Sequence, residues 1–130
     1  MPSATIPSPL GTLAAFEEDG AIVRLRWGKG AEDSTPLLDA TRAQLADYFA
    51  GRLKTFNLPV APRGGDFERA VWTELARIPY GRTLTYGDLA ARINSAARAV
   101  GGACGANPIP IIIPCHRILA TGGGMGGFSA

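Results

Sequence analysis

Three prolines interrupt the apolar run from Asn107 to Arg117 (Asn-Pro-Ile-Pro-Ile-Ile-Ile-Pro-Cys-His-Arg), and no other stretch restricts the fold as strongly. Proline has no N–H to donate into a ladder, so Pro108, Pro110 and Pro114 exclude a regular central strand. The isoleucines between them must still leave water. The run therefore reads as a stiff, buried, extended segment, and it ends on Cys115 and His116, the only Cys-His pair in the chain. The glycine-rich stretch Gly122 to Gly127 that follows reads as a flexible loop able to close over a pocket. It lacks the Lys-Ser/Thr of a phosphate loop and has no room for the helix such a loop needs.

The rest of the chain divides at Ala61-Pro62-Arg63-Gly64-Gly65, a linker by composition. Residues 1–62 read as a small α/β lobe. Asp19-Gly20 is a strong two-residue turn signal and predicts a hairpin over 12–28. Val23, Leu25 and Trp27 alternate with Arg24 and Arg26, as in a strand with one buried face. Thr35-Pro36 predicts an N-cap with proline at the first helical position, and the helix carries Leu38, Leu45, Tyr48 and Phe49 on one side as far as Gly51. Residues 55–60 are expected to add a strand.

Residues 63–130 read as mostly helical. Asp66 is expected to cap a helix with apolar positions Phe67, Ala70, Val71, Leu75 and Ile78, ended by Pro79-Tyr80-Gly81. A second helix starts near Thr85, with Tyr86, Leu89, Ala90 and Ile93 at helical spacing. A third, from Ala96 to about Ala103, is expected to be capped by Asn94 or Ser95. The last two together resemble a helix-turn-helix. Apart from Arg98 and Val100, residues 96–103 are all Ala or Gly. Such a helix is either packed tightly inside the protein or made to approach another backbone closely, as against a DNA minor groove only about 6 Å wide.

With 46% hydrophobic and 18% charged residues the chain is globular, not disordered. No apolar run approaches the ~20 residues of a membrane span. Met1 to Leu10 has no basic segment and no continuous apolar core, so it does not read as a signal peptide. A cytoplasmic protein is expected, or a nuclear one in a eukaryote. Two cysteines and one histidine are too few for an ordinary zinc site, so no metal and no cofactor are expected. A Cys104–Cys115 disulfide would be unusual in a reducing compartment. Net charge is +2, but residues 75–130 carry Arg77, Arg82, Arg92, Arg98 and Arg117 against Asp88 alone. Arginine suits phosphate contacts and stacking, and charge alone leaves a solubilising and a DNA-facing surface equally open.

A cysteine beside a histidine can serve nucleophilic catalysis, because the thiolate is the nucleophile and a nearby base makes it available. Adjacent residues point in different directions, so a bridging water can carry the proton. Cysteine is also among the most buried residue types, and the pair alone leaves core packing open. Pro114, which restrains the backbone before Cys115, and the arginine-bearing helices favour chemistry.

Several motifs taken together identify the chain as similar to the O6-alkylguanine-DNA alkyltransferases. Ile-Ile-Ile followed by Pro114-Cys115-His116-Arg117 resembles the family's active-site signature, with Asn107-Pro108 at the family spacing before it. Ala97-Arg98-Ala99-Val100-Gly101 resembles the recognition helix. Ile78-Pro79-Tyr80-Gly81, Thr85-Tyr86-Gly87, and Asp66-Phe67 through Val71-Trp72 resemble the segments upstream. The likeness is close over 66–129 and looser over 1–62.

The resemblance implies an α/β (α+β) protein. Its N-terminal lobe (1–62) would be ribonuclease H-like, and its DNA-binding and alkyl-transfer domain (63–130) winged helix-turn-helix-like. It implies direct, single-turnover transfer of an alkyl group from O6-alkylguanine in double-stranded DNA to Cys115, with His116 taking the thiol proton through a water. Arg98 would fill the space left by the flipped guanine and Tyr86 would help rotate the target phosphate. Ala97, Gly101 and Arg117 would also lie at the DNA. Asn107, Pro114, Phe128 and Ser129 would border the base pocket. A monomer with no membrane partner is expected. Family members usually have tyrosine where Phe128 stands, and continue into a C-terminal helix whose glutamate partners the histidine. The chain ends at Ala130 with no residue matching it, and reads as truncated there. Two other readings compete: a non-catalytic protein that binds alkylated DNA and flags it for other repair factors, and a helix-turn-helix regulator with Cys115 as a redox sensor. The presence of the nucleophile disfavours the first, and Arg98 with its small-residue helix disfavours the second.

Overall fold

A computed structural model of the chain describes residues 1–119. Two compact units divide it, Met1–Pro62 and Arg63–Ala130. In the first, strands β1 (Ser3–Ile6), β2 (Leu13–Glu18) and β3 (Ala21–Trp27) form an antiparallel sheet in the order β1-β2-β3. Asp19 and Gly20 both take positive φ, 51° and 78°, the left-handed pair that matches the twist of a two-residue hairpin. β1 has no alternating pattern strong enough to be foreseen. Its place comes from pairing, Ala4 opposite Ala15 and Ile6 opposite Leu13.

The expected alternation along β3 is corrected at two places. A bulge between Phe16 and Glu17 breaks the register of β2 against β3, and Ile22 is buried along with Val23 and Leu25. Trp27 is 49% exposed at the strand's end, where its ring lies over Gly11.

Helix α1 (Pro36–Phe49) starts where Thr35 accepts the Leu38 N–H at 3.0 Å and stops before Gly51, φ 77°. Leu38, Thr41 and Leu45 face the sheet side of the unit. The strand expected over 55–60 is a single parallel bridge between Val60 and Ile22. Pro59 and Pro62 can accept but not donate, so pairing stops after Ile22 N–H reaches Pro59 O and Ala61 N–H reaches Ile22 O.

The second unit is built from α2 (Asp66–Ala76), α3 (Tyr86–Arg92) and α4 (Ala97–Gly105), with a short parallel pair, β4 (Leu84–Thr85) beside β5 (Ile118–Leu119). Gly65, not Asp66, is the N-cap of α2. The Glu68 carboxylate returns to accept the Gly65 N–H at 3.0 Å, and Asp66 pairs with Arg69 on the surface. The buried face of α2 is Val71, Trp72 and Leu75, continued by Ile78. Phe67 is 39% exposed and Ala70 is exposed, against expectation, because the helix turns Trp72 inward toward α4 instead.

Thr85 caps α3 reciprocally with Asp88. Neither Asn94 nor Ser95 caps α4. Asn94 takes a left-handed φ of 55°, the Ser95 N–H closes α3 on Ala90 O, and Ala96 is the N-cap without a side-chain bond. The helices α3 and α4, packed together across this tight turn, make the helix-turn-helix. Among the described residues no helix is long and apolar enough to cross a membrane.

Candidate active site

The proline-punctuated run after α4 is not extended. It folds back on itself: the Ile113 N–H reaches Ile109 O at 3.0 Å, and the Ile112 N–H reaches Pro110 O at 2.9 Å. Ile111 is driven to φ 74° at the tip, a conformation that costs a β-branched residue about 1–3 kcal/mol. Prolines exclude a ladder but are at home in such a loop, and the strained turn is what the extended reading missed. Pro114 (φ −82°) is buried and leads into a 3₁₀ turn, Cys115–Arg117, before β5.

Cys115 is 3% exposed. Asn107 Nδ2 donates to its sulfur at 3.0 Å, and the thiol donates to the Cys104 carbonyl at 3.3 Å. The same Asn107 amide also donates to Ile113 O at 2.9 Å, while its Oδ1 accepts the Ile109 N–H at 2.9 Å. One side chain thus closes the loop from inside and aims a donor at the sulfur. Of the residues expected to border a base pocket, Asn107 thus touches the Cys115 sulfur and Pro114 is buried next to it in the chain.

The electrostatics follow from these contacts. The Cys104 thiol pulls Cys115 below the ordinary cysteine pKa, burial opposes this, and the Asn107 donor adds to the lowering; the net direction is down. Cys104 is pushed up by the same thiol contact and by burial. An amide or thiol donor favours the charged sulfur because it places positive hydrogen against it. Tyr86 is raised by burial, then by the two cysteines. His116 has an exposed side chain in the same 3₁₀ turn, and its pKa is lowered by desolvation and then by the charge of Arg117. A lowered pKa keeps the imidazole neutral and able to take a proton. Among the described residues no three His, Cys, Asp or Glu side chains gather where they could hold a metal ion.

The residues expected at DNA separate. Ala97, Arg98 and Ala99 are exposed on the first turn of α4, and Gly102 and Gly105 are exposed further along. A methyl group added at Gly102 or Gly105 would meet nothing within 4 Å, and at Gly101 only Tyr86 at 3.9 Å. The buried positions are Val100, Ala103 and Cys104. Internal packing therefore does not explain the small outer face, which corrects the reading of α4 as a tightly packed internal helix. Tyr86 is 6% exposed, its ring turned toward Gly101 and the cysteines. Arg117 is half-buried and engaged by the protein's own groups. It donates to Ile78 O at 2.8 Å and its guanidinium lies 5.6 Å from the centre of the Tyr80 ring. Its place is that of a strut between the active loop and the end of α2. Phe128, Ser129 and the Gly122 to Gly127 loop lie outside the described residues.

Two members of the site escaped sequence reasoning. Cys104 stands eleven positions before Cys115, a spacing with no meaning until α4 and the loop fold together. Trp72 donates its indole N–H to Ala103 O at 2.8 Å. The available signal was general: a buried tryptophan needs a partner for that group.

Comparison with known proteins agrees over both units. Residues 1–62 match the family model described as the 6-O-methylguanine DNA methyltransferase ribonuclease-like domain, and residues 66–130 match that of its DNA binding domain. The chain is 39% identical to the constitutive methylated-DNA–protein-cysteine methyltransferase of Bacillus subtilis, over 96% of this chain and 84% of that one. It is 41% identical to the enzyme of that name from Haemophilus influenzae, over 94% and 75%. Among solved structures, Mycobacterium tuberculosis OGT in complex with DNA superposes with a TM-score of 0.88 at 38% identity, covering 98% of this chain and 83% of that one. The Methanococcus jannaschii O6-methylguanine DNA methyltransferase superposes at 0.68 and 28% identity, covering 97% and 84%.

Proposed function

The chain belongs to the 6-O-methylguanine DNA methyltransferase family, and from that premise we propose that Cys115 is its alkyl acceptor, working on O6-alkylguanine in double-stranded DNA. The activity is DNA repair by direct alkyl transfer to a cysteine of the protein itself. The observation that carries the assignment to Cys115 is its sulfur, buried and held between the Asn107 amide at 3.0 Å and the Cys104 carbonyl at 3.3 Å.

The chemistry follows from that placement. The Cys115 thiol loses its proton to neutral His116 through a water. The sulfur then attacks the alkyl carbon in line, a C–S bond forms, and the bond from carbon to O6 breaks. The departing guanine takes up a proton and is left intact. The Asn107 donor favours the thiolate that must form, and a thioether is not readily cleaved, so each molecule reacts once. An alkyl group on O6 cannot be reached inside a duplex, so the base must leave the stack, at a cost of a few kcal/mol that is least for a damaged pair. Arg98, exposed on α4, fills the gap, and the small outer face of that helix lets it approach the minor groove. Tyr86 borders the path to Cys115. The protein acts as a monomer, in the compartment that holds the DNA.

Duplex DNA carrying O6-methylguanine and the intact protein, weighed before and after mixing, test this. A gain of one methyl on Cys115, abolished in Cys115→Ala, is the expected result. Lesion-selective binding with no gain in mass would overturn it in favour of a protein that only flags the lesion.

A further inference from the structure

We propose that Trp72 is a positioning residue for alkyl transfer, holding the last turn of α4 in the register that presents Cys104 to Cys115. This rests on the reading of Cys115 as the acceptor. At the end of α4 Ala103 O accepts the Ala106 N–H at 3.2 Å and Cys104 O the Asn107 N–H at 3.3 Å, long bonds of the tightened last turn. Each carbonyl has a second lone pair for a partner outside the helix. Ala103 O accepts the Trp72 indole N–H at 2.8 Å, a bond buried from solvent. The next carbonyl, Cys104 O, accepts the Cys115 thiol at 3.3 Å. A rotation of that turn which lengthened the first contact would move the second.

Trp72 is itself held. Its side chain is 2% exposed on α2, and its ring is packed against Gly64, where an added methyl group would stand 2.6 and 2.8 Å from two ring carbons. Nothing larger than glycine fits at 64 unless the indole shifts. Glycine there and tryptophan at 72 form one device, which transmits the position of the chain before α2 to the carbonyls beside Cys115. The indole takes no part in bond making. Its role is to fix the wall against which the reactive sulfur rests.

Wild-type, Trp72→Phe and Gly64→Ala proteins test the proposal. Four quantities are compared: thermal melting, affinity for the lesion duplex, single-turnover methyl transfer, and the pH profile of Cys115 alkylation by iodoacetamide, with fragment ions locating the label. In Trp72→Phe the transfer rate is expected to fall between about ten- and a hundred-fold, as for a sub-ångström to ångström misplacement of a reacting group. Duplex affinity stays unchanged, and the alkylation profile moves up toward the ordinary cysteine range, because the Cys104 thiol that lowers Cys115 is displaced together with its turn. Gly64→Ala moves rate and profile the same way by less. A Trp72→Phe protein that melts cooperatively and keeps both the rate and the profile of the wild type overturns the proposal. If Trp72→Phe does not fold, Gly64→Ala decides on the same two readouts. Failure of the wild type to accept methyl would sink the assignment of Cys115 instead, while the DNA-free alkylation profile would still judge Trp72.

Discussion

Asn107 Nδ2 lies 3.0 Å from Cys115 Sγ while the same amide closes the loop between them on Ile113 O and the Ile109 N–H. Shape and reactivity therefore depend on one side chain. Asn107→Ala should lose stability by about 1–3 kcal/mol, the usual effect of leaving buried loop groups unsatisfied. Its Cys115 thiol should titrate higher than in the wild type. Asn107→Asp should raise that pKa further, because a carboxylate replaces a donor beside the sulfur. Denaturant melts and the pH profile of thiol alkylation measure the two effects separately.

The small outer face of α4 predicts an unusual split between stability and binding. An alanine at Gly102 meets nothing within 4 Å, and replacing glycine inside a helix stabilises it by about 0.5–1 kcal/mol. Gly102→Ala should thus melt higher than the wild type. Gly102→Leu should fold equally well but bind duplex DNA markedly more weakly. Equal DNA affinity for Gly102→Leu in a binding titration would mean that this face does not meet the groove.

Arg98 is exposed and flanked by alanines, so its loss should leave the fold intact. Arg98→Ala should slow methyl transfer from duplex DNA by about ten- to a hundred-fold, corresponding to roughly 1.4–2.8 kcal/mol of unstacking no longer offset. Transfer from O6-methylguanine in a single strand should change much less, because less stacking has to be undone. Single-turnover rates on the two substrates give the comparison.

Arg117 should behave as a strut. Its bond to Ile78 O and its contact with Tyr80 predict that Arg117→Ala lowers stability by about 1–2 kcal/mol. The salt dependence of DNA affinity should keep its slope. A slope smaller by about one would show a phosphate contact instead.

His116 sets a pH dependence of definite sign. Desolvation and then Arg117 lower its pKa in the folded protein. Its contribution to stability is therefore present above the ordinary histidine pKa. It is lost as pH falls from there through the lowered folded value, because the unfolded chain takes up a proton that the folded chain resists. Transfer should persist through the ordinary histidine range and fade only below it. A His116→Gln protein should show no such decline in melting temperature over that interval.

Much of this molecule is written locally. The Asp19-Gly20 turn, the Thr35 and Thr85 caps and the start of α3 depend on residues a few positions apart, and each formed where the sequence puts it. The string from Asn107 through Arg117 carries the motif on which the proposal for Cys115 rests. Where local rules compete, the structure departs from them. Gly65 caps α2 because Glu68 can reach back to it, and residues 55–60 yield only a bridge because prolines cannot donate. The run from Asn107 bends back because Asn107 offers its loop more hydrogen bonds than an extended chain would find.

The proposal of Cys115 as the acceptor thus comes from the sequence by itself, through the likeness of Pro114-Cys115-His116-Arg117 and its flanking motifs to the family's signature. The environment of Cys115 was decided only by tertiary structure. The Trp72–Ala103 bond joins positions 31 apart and the Arg117–Ile78 bond positions 39 apart. Contacts of that range depend on which helix faces close over one another, and periodicity within a helix does not say which partner it will meet. Cys104 came to lie beside Cys115, and Arg117 came to bond Ile78 O, for that reason.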